Sequence, residues 1–165
     1  MNPAVRVSGH ECSTTRHGQA ALGLTLPPVV APLAAYVPAV RSGAMVYTAG
    51  QLPMVDGQLV SAGKVGAEVG AAEAAALART CALNALAAAA HVAGGLSSIK
   101  RIVKVTGFVA SAPGFTGQPQ VVNGASELLI DVFGEDGRHA RSAVGVAELP
   151  LGVPVEVELI AEVRD

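Results

Sequence analysis

Residues 140–163 read ARSAVGVAELPLGVPVEVELIAEV. The stretch predicts two strands around a turn. Ser142–Glu148 forms the first strand, and the run Pro150-Leu151-Gly152-Val153-Pro154 breaks it. Val155–Val163 then alternates, with Val155, Val157, Leu159 and Ala161 on one side and Glu156, Glu158 and Ile160 on the other. Period two marks a strand with one buried face, and Ile160 interrupts the polar side. Working upstream, Gln120–Phe133 places Val121, Leu128, Leu129 and Val132 at helical spacing and stops at Gly134. Before it lie a Pro/Gly loop, Ser111–Gln118, and a β-branched strand, Ile99–Ala110. Residues 67–92 are dominated by Ala, Leu and Glu, with Leu77, Cys81, Asn84 and Ala88 near one face and Gly94-Gly95 as the stop. That is a long helix able to pack very closely on a sheet. Val37–Arg41 and Met45–Ala49 read as a hairpin turning at Ser42-Gly43, and Met54–Val60 turns again at Asp56-Gly57. The order β-β-(β)-α-β-α-β-β gives an α+β sandwich: a mostly antiparallel mixed sheet with two helices on one face. The other sheet face carries many apolar residues and needs cover, so oligomer contacts are expected there.

Composition sets outer bounds. A chain of 165 residues suits one domain: residues 1–20 as a flexible tail and 21–165 as the folded unit. Half the residues are apolar and 15% are charged, so the chain can build a core. With aromatics at 3% and no Trp, that core rests on Ala, Val and Leu. The net charge is −2, and the basic runs end with Lys100-Arg101 and 138–141. This argues against a nucleic-acid partner. Cys12 and Cys81 match no metal or disulfide spacing, and Cys81 reads as a small buried apolar residue. A reducing, cytoplasmic setting is expected. Residues 20–35 contain Pro27, Pro28 and Pro32, which suits no helical signal core, and no uninterrupted apolar run suggests a membrane span. His10, His17, His91 and His139 make no metal pattern, so neither a metal nor an organic cofactor is expected.

Three segments resemble one family. Val46-Tyr47-Thr48-Ala49-Gly50-Gln51-Leu52-Pro53 is similar to its Gly-Gln-hydrophobic-Pro segment, and Val122-Asn123 to its second helix start. Residues 140–150, followed by Val155-Glu156-Val157-Glu158, resemble its C-terminal signature. The family is that of the reactive-intermediate deaminases, also called YjgF or endoribonuclease L-PSP. The resemblance runs from about Tyr36 to Val163, and the longer middle loop marks a divergent branch. It implies a chorismate-mutase-like fold, a homotrimer and ligand sites in clefts between subunits. The implied activity is hydrolysis of reactive enamines and imines to 2-oxo acids and ammonia. Some relatives are described instead as ribonucleases or inhibitors of translation.

The resemblance carries particular residues with it. Arg141 matches the carboxylate-binding arginine, and a guanidinium fork suits a planar carboxylate. Gly50 matches a glycine whose N–H meets the same carboxylate. Glu156 matches the glutamate that activates water, with Glu158 at the same periodicity a rival for that place. Tyr36 matches a pocket tyrosine. Asn123 matches a pocket asparagine, with helix capping as the alternative. His139, two residues before Arg141, reads as a surface-loop histidine. Ala143 stands where many members carry cysteine, so no thiol is essential here. Val37 and Ala49 replace small hydroxyl residues, which points to a more apolar pocket for a larger substrate, or to weaker catalysis. Three readings follow: an imine deaminase using Arg141 and Glu156 on a small 2-imino or 2-oxo carboxylate; an endoribonuclease-type translation inhibitor; and a trimer that binds a small carboxylate without turnover.

Overall fold

The computed structural model describes residues 24–29 and 35–164. The expected tail 1–20 and the remainder of the Pro-rich lead-in lie outside them. Strands β1 (Ala39–Ser42) and β2 (Met45–Thr48) form the expected hairpin, with Gly43 at φ 59 in the turn. A two-stranded ribbon, β3 (Met54–Val55) and β4 (Gln58–Leu59), turns at Asp56 and Gly57, whose φ values of 52 and 76 are both left-handed. Two successive left-handed residues match the twist of paired strands, and Gly takes this conformation without strain. Helix α1 (Ala71–Ala93) follows, closed by Gly94 at φ 84, whose N–H donates to the Ala90 carbonyl. Then come β5 (Ile99–Ala110), α2 (Gln118–Phe133), β6 (Ala140–Val146) and β7 (Val155–Val163).

The main sheet runs β1-β2-β7-β5-β6, antiparallel except for the β5–β6 pair. Along β7 the odd residues from Val155 to Val163 are buried and the even ones half-buried. Register sets Val105 opposite Leu159 and Val109 opposite Val155. This buried face meets both helices. Small residues set the packing distance: a Cβ on Gly107 would run into the Val122 side chain, and one on Gly124 into the Ala75 backbone carbonyl. The helices therefore touch the sheet and each other nearly backbone to backbone. Cys81 lies in this core, fully buried, as expected.

Several boundaries differ from the sequence reading, among them the start of β1 at Ala39 rather than Val37. Helix α1 begins four residues late. The Val65 N–H donates to the Ala110 carbonyl and its carbonyl accepts from Ala112, which hooks residues 64–69 to the end of β5. Helix α2 begins two residues early, with Gly117 as N-cap and Pro119 in the first turn, where a missing N–H costs nothing. Strand β6 spans residues 140–146 rather than 142–148, because its pairing with β5 starts at Lys104–Ala140. The open sheet face carries apolar residues, as expected: Val40, Tyr47 and Val144 are exposed there. Glu156, Glu158 and Glu162 share it, so the face is mixed. Helix α1 is long and apolar enough to cross a bilayer, yet most of its length packs into the core.

Candidate active site

Arg141 is the second residue of β6, the edge strand of the sheet. It stands in register with Val105, a buried residue of the helix-facing side. Its Nη1 donates to Asn123 Oδ1 at 2.8 Å and to Ser126 Oγ at 3.1 Å. Both hydrogens of Nη1 are thus used, and Nε and Nη2 keep three more. Among the described residues no Asp or Glu pairs with Arg141. Asn123 and Ser126 are three residues apart, on one face of α2. Asn123 lies in the second turn rather than at the helix start, so the capping alternative falls away.

His139 lies in the loop before β6 but turns inward: it is half-buried, with Nδ1 2.6 Å from the Gly137 carbonyl and Nε2 3.0 Å from Ser126 Oγ. A carbonyl only accepts, so Nδ1 carries the proton and, in the neutral ring, Nε2 accepts from the Ser126 hydroxyl. Burial pulls the His139 pKa below its ordinary value; the Gly137 hydrogen bond opposes this and the Arg141 charge reinforces it. Ser126, Ile130, Arg138, His139 and Arg141 line a cleft of about 230 Å³.

Glu156 belongs to a second cluster. Gln51 exchanges backbone hydrogen bonds with Val157 at 2.8 and 3.1 Å, which lays Gly50 against Glu156. A Cβ on Gly50 would collide with the Glu156 carboxylate. The glycine is therefore needed for close approach. Buried Asn84 donates from Nδ2 to the carbonyls of Leu52 and Met54, each at 3.0 Å, and pins the segment that follows Gly50. Partial burial raises the Glu156 pKa, and the like charge of Glu158 adds to it. Both glutamates face the same side of the sheet, Glu156 opposite Phe108 and Glu158 opposite Thr106; Glu156 is the one against Gly50. Tyr36 occupies a bend before β1 and is 46% exposed.

The chain therefore carries two separate clusters. Arg141, Asn123, Ser126 and His139 gather on the helix side of β6. Glu156 and Gly50 gather on the open face, in register with Phe108 and Val144. Ser126 was absent from the sequence reading; the spacing Asn123-x-x-Ser126, one helical turn, was its only signal. A further cleft of about 290 Å³ includes Gly63, Lys64, Glu68, Glu148 and Val153 in its lining. Its lysine is neutralised by Glu148 at 2.8 Å, so it offers an anion little attraction. Among the described residues no three His, Cys, Asp or Glu side chains converge as metal ligands.

A family model described as "YjgF/chorismate_mutase-like, putative endoribonuclease" matches residues 16–163. The chain is 46% identical over 145 residues to Protein TCP17 of Trypanosoma cruzi, covering 87% of this chain and 91% of that one. A solved structure from Shewanella oneidensis, with the same endoribonuclease description, is 36% identical at a TM-score of 0.86, covering 92% of this chain and 100% of the other. E. coli TdcF with bound serine is 27% identical at a TM-score of 0.61, covering 86% and 97%.

Proposed function

The chain belongs to the YjgF/chorismate mutase-like family, and from that premise we propose that it hydrolyses small 2-imino acids to 2-oxo acids and ammonia. The observation that carries this reading is the Arg141 guanidinium, oriented by Asn123 and Ser126 and paired with no acidic side chain among the described residues. Its remaining N–H groups suit a bidentate carboxylate. The bound serine of TdcF is a carboxylate ligand of the same class, within a related fold.

Catalysis needs a proton donor and acceptor near the imine carbon. Glu156, half-buried with a raised pKa, fits that role. Its protonated form gives a proton to the imine nitrogen, making the carbon electrophilic. Its carboxylate form then takes a proton from water as the water oxygen bonds to that carbon. The resulting carbinolamine receives that proton from Glu156 on its nitrogen, its C–N bond breaks as its hydroxyl gives a proton back to the Glu156 carboxylate, and ammonia leaves the 2-oxo acid. Positioning by Arg141 and the Gly50 N–H supplies the rest.

Arg141 and Glu156 lie on opposite faces of one sheet, so this mechanism needs them from different subunits. A homotrimer with its sites between subunits meets that need. Edge strand β6 and the mixed open face are surfaces available for such contacts. The ribonuclease reading gains no support from the Arg141 cleft. The one imidazole in its lining, His139, has Nδ1 engaged by Gly137.

The test supplies 2-aminoacrylate from a pyridoxal-phosphate enzyme and traps surviving imine with semicarbazide. Faster imine loss with the wild type and none with Arg141→Ala is expected. Full activity in the variant, or no acceleration by folded trimer, would overturn the reading.

A further inference from the structure

His139 has no place in the hydrolysis described above, yet it connects through Ser126 to the group that would hold its substrate. The hydrogen bonds run in one direction. Arg141 Nη1 donates to Ser126 Oγ at 3.1 Å, Ser126 donates to His139 Nε2 at 3.0 Å, and His139 Nδ1 donates to the Gly137 carbonyl at 2.6 Å. The first three of these groups, with Ile130 and Arg138, line a single cleft. We propose that Arg141, Ser126 and His139 form a proton-linked anion clamp, which takes a small carboxylate and holds it more tightly once His139 is protonated. The proposal rests on the carboxylate-binding reading of Arg141, not on turnover.

The chemistry is local. In the neutral state the imidazole accepts from Ser126, and Ser126 spends its hydroxyl proton on that bond. When His139 gains a proton, Nε2 becomes a donor. Ser126 Oγ then accepts from both His139 and Arg141, and its own proton is released toward the cleft. An incoming carboxylate meets an extra positive charge and an extra hydroxyl donor. Conversely, a carboxylate on Arg141 cancels the charge that disfavours imidazolium, so binding draws in a proton. These two statements are one linkage. The ligand that fits is a small monocarboxylate with its apolar end against Ile130.

The other groups around His139 do not duplicate this role. Arg138 is exposed and tied to Glu135 at 3.0 Å. On α2, Ile130 is uncharged and Asp131 pairs with Arg79 at 3.3 Å. On β5, Lys104 lies opposite Ala140. Arg141 is the charge in direct hydrogen-bonded connection with the imidazole.

The experiment titrates the His139 ring protons by NMR from pH 5 to pH 8, with and without saturating pyruvate. The signal is assigned by its loss in His139→Gln. Pyruvate affinity is measured calorimetrically at both ends of that range. Pyruvate should raise the His139 midpoint and bind more tightly at pH 5 than at pH 8, by roughly tenfold for each unit of that rise. His139→Gln should flatten the dependence while still binding pyruvate at pH 8, and Ser126→Ala should flatten it and weaken binding at both pH values, because Ser126 also orients Arg141. An unmoved midpoint under saturating pyruvate, a pH dependence that survives in His139→Gln, or no pyruvate binding by the folded wild type would each overturn the clamp. Intact binding and an intact His139 shift without imine turnover would sink the deaminase reading alone.

Discussion

At the scale of single residues, a glycine and a glutamate show how neighbours decide the effect of a substitution. A Cβ at Gly50 meets the end of a flexible side chain, the Glu156 carboxylate. That carboxylate can swing away, so Gly50→Ala should leave the melting temperature nearly unchanged while cutting imine turnover severely. Retention of both would detach Gly50 from the site. Glu156 makes a pH-dependent contribution of definite sign. Its folded pKa is raised, mainly by burial, so the folded state disfavours the charge. The penalty is absent below the ordinary carboxylate range and grows as pH rises through the raised folded value. Glu156→Gln should therefore raise the melting temperature at pH 7, leave it unchanged at pH 4, and abolish turnover. An equal rise at both pH values would refute the assignment. The contact itself was not legible beforehand. The motif named Glu156 and Gly50, but their contact is made across the Gln51–Val157 bridge, between residues more than 100 positions apart.

At the scale of elements, close approach replaces bulk. Helices α1 and α2 meet where Gly124 faces the Ala75 carbonyl, which is rigid backbone. Gly124→Ala gains about 1 kcal/mol of helix propensity. It must also force the helices apart, at about 1–3 kcal/mol or more. A net loss of stability in denaturant titration is expected, in contrast to Gly50→Ala. Asn84 links α1 to the segment after Gly50 through two carbonyls. Asn84→Ala removes a donor from both part-buried carbonyls, of which Leu52 keeps its bond from the Met54 N–H, and should cost about 1 kcal/mol. A neutral result by thermal melting would mean that water reaches them. Most elements were legible because periodicity and stop signals are local. Strand β5 was read with its observed ends, and the Gly94 stop of α1 held. The start of α1 was not, because residues 64–69 are diverted by hydrogen bonds to the distant end of β5.

For the whole molecule, the decisive point is that the Arg141 and Glu156 clusters lie on opposite sheet faces. If each working site takes Arg141 from one subunit and Glu156 from the next, inactive variants should complement. Refolding Arg141→Ala with Glu156→Gln in equal amounts should restore about a quarter of wild-type turnover, since that fraction of interfaces pairs an intact Arg with an intact Glu. Each variant refolded alone should stay inactive, and an inactive mixture would place both residues in one protomer's site. By itself the sequence determined the element order, the α+β class and the family, and it singled out Arg141, Glu156, Gly50 and Asn123 as candidates. These follow from local periodicity, turn chemistry and motif spacing, which depend on neighbours along the chain. Only the tertiary structure decided that Asn123 orients Arg141 rather than capping α2, that Ser126 and His139 extend the same network, and that Glu156 faces away from it. Those facts depend on strand register and on how α2 lies against β6, and register is set by the packing of residues far apart in the chain.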